Sequence, residues 1–403
     1  MKNKLTSLLL IIIFKNVLQN DVIKSFVEFL FKLQDSKELD DILKSYSTFV
    51  HLLYKSEPSQ NLYLYLENLI NIDDNILSNG CSDCIKTNEQ IMQTATYELK
   101  LFDELLLFDY KKIKLIFLDK FPEAIEIINH LPKFSVNGKK CFNLDEVLFK
   151  YNTQGFGEFA CYTAFKFNEK KEVLPVKHFN TLTFCDLKNY DYQKNVIKQN
   201  TQAFLDGKQA NNILLYGDRG CGKSSTVKAL VNEFSDYNLK IIQVYKESFI
   251  HLADLFEKVR NLPLKFIIFA DDISFDENDN NFSSIKAVLE GSLENKPTNT
   301  LIYATTNRMH LVKESFQSRE GNEVHCNDTI DEVVSLSDRF GIMLTFSLLN
   351  KKDYLDIVVQ IANDCCVEIN DKLLREAEIF SAQKGIRTPR VAKQFIIDFI
   401  ANN

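Results

Sequence analysis

The octapeptide Gly217-Asp218-Arg219-Gly220-Cys221-Gly222-Lys223-Ser224 has the residue types and spacing of a phosphate cradle: two framing glycines, then a lysine and a hydroxyl directly behind the second. Glycine admits backbone conformations that a side chain forbids. The N–H groups of such a loop can converge on phosphate oxygens, and a helix starting at its end adds partial positive charge. Lys223 would then reach the β- and γ-phosphates, Ser224 would set its hydroxyl on Mg²⁺, and Ser225 would follow at the first turn of the helix. An ordinary glycine turn capped by Ser224 and Ser225 leaves the lysine unexplained.

Four further groups carry chemistry if the loop does. Phe266-Ile267-Ile268-Phe269-Ala270 is an apolar run ending in Asp271 and Asp272. A hard cation brought by a nucleotide wants a carboxylate nearby, the role expected of Asp271, while Asp272 would orient or deprotonate an attacking water. Leu301 to Ala304 is a second apolar run, and it leads through Thr305 and Thr306 to Asn307 in the same region. Arg339, in Ser337-Asp338-Arg339-Phe340-Gly341, is placed to stabilise transition-state charge. In Gly385-Ile386-Arg387-Thr388-Pro389-Arg390, proline at a first helical turn puts Arg390 at the start of the closing helix, with Arg387 its rival for a place near the nucleotide.

The elements that must position these residues are legible as short apolar runs. Ile213–Tyr216, Ile241–Val244, Phe266–Ala270, Leu301–Ala304 and Ile342–Phe346 are near-continuous in apolar residues, the signature of strands covered on both faces in a parallel sheet, and they are separated by helix-length connections. The expected class is a three-layer α/β core, with its ligand at the carboxyl ends of the strands. Residues 1–108 instead show helical periodicity, broken at Pro58 and at Ser78-Asn79-Gly80. Residues 109–180 have mixed character: Gly155-Phe156-Gly157 reads as a turn, Ala160 to Phe167 as a strand, and Leu174-Pro175-Val176 as the start of a linker. After Asn350 only helical pattern remains.

Composition narrows the function classes. A net charge of −7 over 403 residues argues against broad binding to nucleic acid or anionic membranes. Arginine is sparse, and all eight arginines lie between Arg219 and Arg390. The nine cysteines are scattered, which suits reduced thiols in the cytoplasm. Cys81 and Cys84 have knuckle spacing but no second pair, so a turn with incidental thiols is the favoured reading. The apolar run Leu8 to Phe14 is far shorter than the roughly 20 residues a spanning helix needs and is read as a buried first helix. No membrane partner is expected.

The order of phosphate loop, Asp-Asp strand, polar strand end, Arg-Phe-Gly box and arginine-bearing helical end resembles the AAA+ ATPases. More narrowly, Ala210 to Gly220, Leu289-Glu290-Gly291, Leu301 to Arg308 and Leu336 to Gly341 resemble a bacterial family within AAA+ catalogued as a domain of unknown function, number 815. The resemblance implies a P-loop core over residues 181–349, a helical lid over 350–403 and a mostly helical N-terminal domain over 1–180. It implies Gly217 to Ser225 as the ATP-binding loop, Ser224 and Asp271 as Mg²⁺ ligands, and Asp272 and Asn307 at the reacting phosphate. Arg339 is then a finger toward a neighbouring subunit, and Arg390 or Arg387 the lid arginine. A homo-oligomeric ATPase acting on an unknown protein client follows, with any nucleic acid reached through a partner; the alternative is an ATP-gated switch with negligible hydrolysis. Asp272 stands where AAA+ proteins commonly carry glutamate, and Cys221 where threonine is usual. An exposed Cys221 thiol would make nucleotide binding sensitive to oxidation. His310 and His325, in the long polar stretch from Met309 to Ser337, read as surface residues.

Overall fold

A computed structural model describes residues 2–79, 88–138, 141–273, 296–307 and 340–402. The chain divides into two compact units, Met1–Cys161 and Tyr162–Asn403. The sequence placed this boundary near residue 181. The unit containing the sheet begins earlier because 164–175, whose strand pattern is short and weak, adds two strands to it.

The first unit is helical. Its longer helices are Asp21–Asp35, Leu39–Ser56, Leu62–Ile72, Glu89–Leu106, Tyr110–Lys120 and Leu144–Gln154. Asn20, Asn61, Asn88, Asp109 and Asn143 each accept a backbone N–H at the start of one of them, satisfying donors the helix itself leaves free. Phe26, Phe29, Tyr46, Phe49 and Phe117 supply the aromatic centre, all at most 1% exposed, with Phe26 and Phe49 centroids 4.5 Å apart. The run Leu8 to Phe14 is not the buried helix its apolarity suggested. Helix ends at Ser7, a single 3₁₀ turn follows over Leu8–Leu10, and Leu9, Leu10 and Ile12 are exposed. The buried Glu98 carboxylate explains the break, since it accepts the N–H groups of Ile12, Ile13 and Phe14 at 2.9 to 3.2 Å and so competes with helical bonding.

Among the described residues, the second unit is built on one seven-stranded sheet: β1 Ala164–Phe167, β2 Val173–Pro175, β3 Ile213–Gly217, β4 Leu239–Val244, β5 Lys265–Ala270, β6 Thr300–Thr306 and β7 Ile342–Phe346. The strand order is β2-β1-β4-β5-β6-β3-β7. Every pairing is parallel except that of the edge strand β2 with β1. The five strands expected from apolar runs are all present; the expected strand over Ala160 to Phe167 is confined to β1, and the expected linker start at Leu174 is β2. Because β3 lies between β6 and β7 while β4 and β5 lie beyond β6, the carboxyl ends of β3, β5 and β6 open side by side.

Helices cover the sheet, among them Asp191–Leu205 and Lys223–Glu233. Tyr303 of β6 is fully buried and bonds to Thr201 and Asn200 of the first of these; burial pushes its hydroxyl up to about 12. Three helices close the chain: Lys351–Asp364, Asp371–Lys384 and Pro389–Asn402. Their starts are capped by Asn350, Asn370 and Thr388. Tyr354, Ile357, Leu373, Val391 and Phe395 join them to the same core as β3 and the helix behind it. Among the described residues, no helix is long and apolar enough to cross a membrane.

Candidate functional site

The loop after β3 is folded back on its own lysine. Lys223 Nζ donates to the carbonyl oxygens of Gly217 at 2.6 Å and Asp218 at 2.9 Å, and to Asn307 Oδ1 at 2.9 Å. The side chain is buried, and that desolvation holds its ammonium below the ordinary lysine range. Gly217 (φ 137°), Gly220 (φ 84°) and Gly222 (φ 93°) give the loop its shape. At Gly217 a Cβ would overlap the carbonyl of Phe346 on β7, which also accepts the Asp218 N–H at 3.2 Å. Gly217→Ala is therefore expected to cost about 3 kcal/mol, from backbone strain together with overpacking. Urea unfolding checks it: the midpoint should fall with the slope unchanged.

Parallel pairing of Ala270 with Ala304 carries the next residues, Asp271 and Thr305, into contact. Ser224 Oγ donates to Asp271 Oδ1 at 2.5 Å and Thr305 Oγ1 to the same oxygen at 2.7 Å. Thr305 Oγ1 also accepts the Asp272 N–H at 2.8 Å, while the Asn307 side-chain amide donates to Asp272 Oδ1. Asp272 adopts a left-handed backbone, φ 53°, which these contacts support. Thr305 is the residue that sequence reasoning missed. Its signal was the register, which a strand pattern by itself does not supply.

Arg219, Gly220, Gly222, Lys223, Ser224, Ser225, Asp271, Asp272, Asn307 and Arg390 line one cavity of about 280 Å³, with Thr305. Gly217, Asp218 and Cys221 lie outside its lining, Gly217 and Asp218 holding the lysine from behind. Arg390 N donates to Gly220 O at 3.4 Å, so the closing helix rests on the loop. A Cβ on Gly220 would meet Thr388 Oγ1 at 3.1 Å and Arg390 Cβ at 3.3 Å, so glycine permits that approach. Arg387 is not part of the lining; its carbonyl accepts Leu349 N–H at 3.0 Å. Arg339 lies outside the described residues, as do Cys81, Cys84, Leu289-Glu290-Gly291, Arg308, His310, His325 and Leu336 to Asp338.

A second cavity, about 390 Å³, adjoins the other end of the loop. Leu182, Leu187, Tyr190, Ile357 and Ile361 give it apolar walls, and Gly220, Cys221, Gly222 and Arg390 are shared with or next to the first. Cys221 is 1% exposed, and burial raises its thiol above the usual range. The exposed, reactive thiol considered from the sequence is therefore not what the fold provides. With the native protein, iodoacetamide is expected to modify the exposed Cys141, Cys185 and Cys365 well before Cys221, leaving nucleotide affinity unchanged. Peptide mapping after graded alkylation tests this, and the reaction at Cys221 should set in at higher pH, where the thiolate forms.

The donors on Ser224 and Asp271 are hard oxygens within hydrogen-bond distance of each other. That suits Mg²⁺, which takes one or two protein ligands and completes its shell with water and phosphate.

Among solved structures, a variant of Thermotoga maritima RuvB is 18% identical, with 52% of this chain and 61% of that chain covered and a TM-score of 0.35. The AAA domain of FIGL-1 in complex with ADP is 17% identical over 50% and 67%, TM-score 0.35. Trip13 in the HORMA:CdnC:Trip13 complex of E. coli MS115-1 is a further likeness, at 12% over 49% and 75% with a TM-score of 0.36. The chain spans about three fifths of the length of the RuvB chains it matches. These likenesses are too distant to carry function across. Comparison with curated proteins returns no match. Residues 160–403 match the family described as "Protein of unknown function (DUF815)", to which the chain belongs.

Proposed function

We propose that the protein binds Mg-ATP at the loop after β3 and hydrolyses it as an oligomer, using the helical first unit to engage a protein client. The observation that supports this best is the convergence of Lys223, Ser224, Asp271, Asp272 and Asn307, from three strand ends, on one cavity. The phosphates replace Gly217 O, Asp218 O and Asn307 Oδ1 as partners of Lys223, and the loop N–H groups close around them. Ser224 and Asp271 would hold the metal, which would supply charge neutralisation at the phosphates. Asp272 accepts the proton of the attacking water while Asn307 fixes its carboxylate. The base occupies the apolar cavity against Tyr190 and Ile361. Arg339 reaches the nucleotide of the adjacent subunit.

A nucleotide-gated switch is the second reading. It is favoured by Asp272, which is one methylene shorter than glutamate and already bonded to Asn307. Steady-state phosphate release separates the two: turnover that stops with EDTA supports the ATPase, and tight ATP binding without release supports the switch. Size exclusion with and without ATP tests the shared site, which fails if the protein stays monomeric and Arg339→Ala leaves turnover unchanged.

A further inference from the structure

The two cavities give the bound nucleotide a direction, and that direction assigns a role to Arg219. Lys223 Nζ sits at the entry end of the loop, against Gly217 O and Asp218 O, and reaches Asn307 there. Arg219 is the next residue along. It lines the cavity that holds Asp271, Asp272 and Asn307, and it is absent from the lining of the apolar cavity beside Cys221 and Tyr190. The base end and the terminal-phosphate end are thereby distinguished, with Arg219 at the latter.

The charges around the first cavity sharpen this. Asp271 is engaged by Ser224 and Thr305, Asp272 by Asn307, and Lys223 by three oxygens. Among the described residues, the Arg219 guanidinium has no hydrogen-bond or ion-pair partner, although the side chain carries five donors. A solvent-exposed arginine with no partner at the rim of an anion site lacks a role in the fold. It has the geometry for bidentate contact with phosphate oxygens.

We propose that Arg219 binds the terminal phosphate of the triphosphate held by its own chain, so that the site distinguishes a nucleoside triphosphate from a diphosphate through a side chain of the loop itself. This rests on the nucleotide-binding reading above. It differs from the expected contribution of Arg339, which comes from another subunit, and from that of Arg390, which comes from the closing helix.

Calorimetric titration of the full chain with ATP and with ADP, both with Mg²⁺, tests the proposal on the unmodified protein, Arg219→Ala and Arg219→Lys. Arg219→Ala is expected to weaken ATP binding about 10- to 100-fold, the scale of a lost charge-assisted contact, and ADP binding less than about 2-fold. Arg219→Lys should recover part of the ATP affinity, since it restores charge without the bidentate fork. An unchanged ratio of ATP to ADP affinity in Arg219→Ala overturns the proposal, as does an equal loss for both nucleotides. Failure of the underlying reading looks different: the unmodified protein would then bind neither nucleotide. Repeating the titration at protein concentrations that give monomer places the contact within one chain if the ratio still changes, and overturns that placement if the change appears only in the oligomer.

Discussion

Lys223→Ala is expected to lower ATP affinity by at least about 100-fold, or about 2.7 kcal/mol, while the protein stays folded. The ammonium is buried and bonded to three oxygens, so in the nucleotide complex it meets phosphate with little competing water. Its removal leaves Gly217 O and Asp218 O without that donor and the phosphates without their nearest cation. Burial also lowers the lysine's pKa, and the charged form is the one that binds. Affinity should therefore fall as pH rises through that lowered value, earlier than for an exposed lysine, and the pH dependence should disappear in the alanine variant. Calorimetry across alkaline pH, with circular dichroism to verify folding, measures both effects. An unchanged dissociation constant would move the nucleotide to another site.

Asp272→Asn should retain ATP and lose phosphate release by about 10²- to 10⁴-fold, the usual contribution of a positioned general base. The substitution keeps the shape of the side chain and an oxygen able to accept from the Asn307 amide, so the left-handed turn at residue 272 keeps its support. Only the capacity to take a proton is removed. Single-turnover hydrolysis beside nucleotide binding reads the two properties separately. A variant that releases phosphate at the unmodified rate would exclude Asp272 from the chemistry, and slow release in both proteins would favour the switch. The trapped complex also offers a direct route to the client, by capture with ATP present.

Much of the second unit was legible because its signals are local. Ile213 to Leu215 and Phe266 to Ala270 are buried on both faces, and a strand so placed is apolar at every position. The loop was legible for a related reason: its glycines answer to backbone conformation and its lysine to charge, both set within a few residues. The early boundary at Cys161 and the strands β1 and β2 were not, since a three- or four-residue strand has too few positions to display a period. Leu8 to Phe14 misled for the opposite reason. Its apolarity suggested a helix, and a carboxylate more than 80 residues away, Glu98, bonded the backbone instead.

The sequence by itself determined a strand, a glycine-rich loop and a helix across Ile213 to Glu233, with Asp271, Asp272, Asn307 and Arg390 at the ends of elements able to meet that loop. Residue type, spacing and flanking hydrophobicity suffice for that, because each reflects chemistry within one stretch of chain. Tertiary structure decided the contacts between stretches. The β5 to β6 register brought Thr305 onto Asp271, and the closing helix rested on Gly220. Packing against Tyr190 and Ser347 buried Cys221, and Arg219 was left in the lining of the cavity with Asp271 and Asp272, without a partner among the described residues. Those outcomes depend on strand register and on which side chains exclude water from which, and neither is encoded in any one segment.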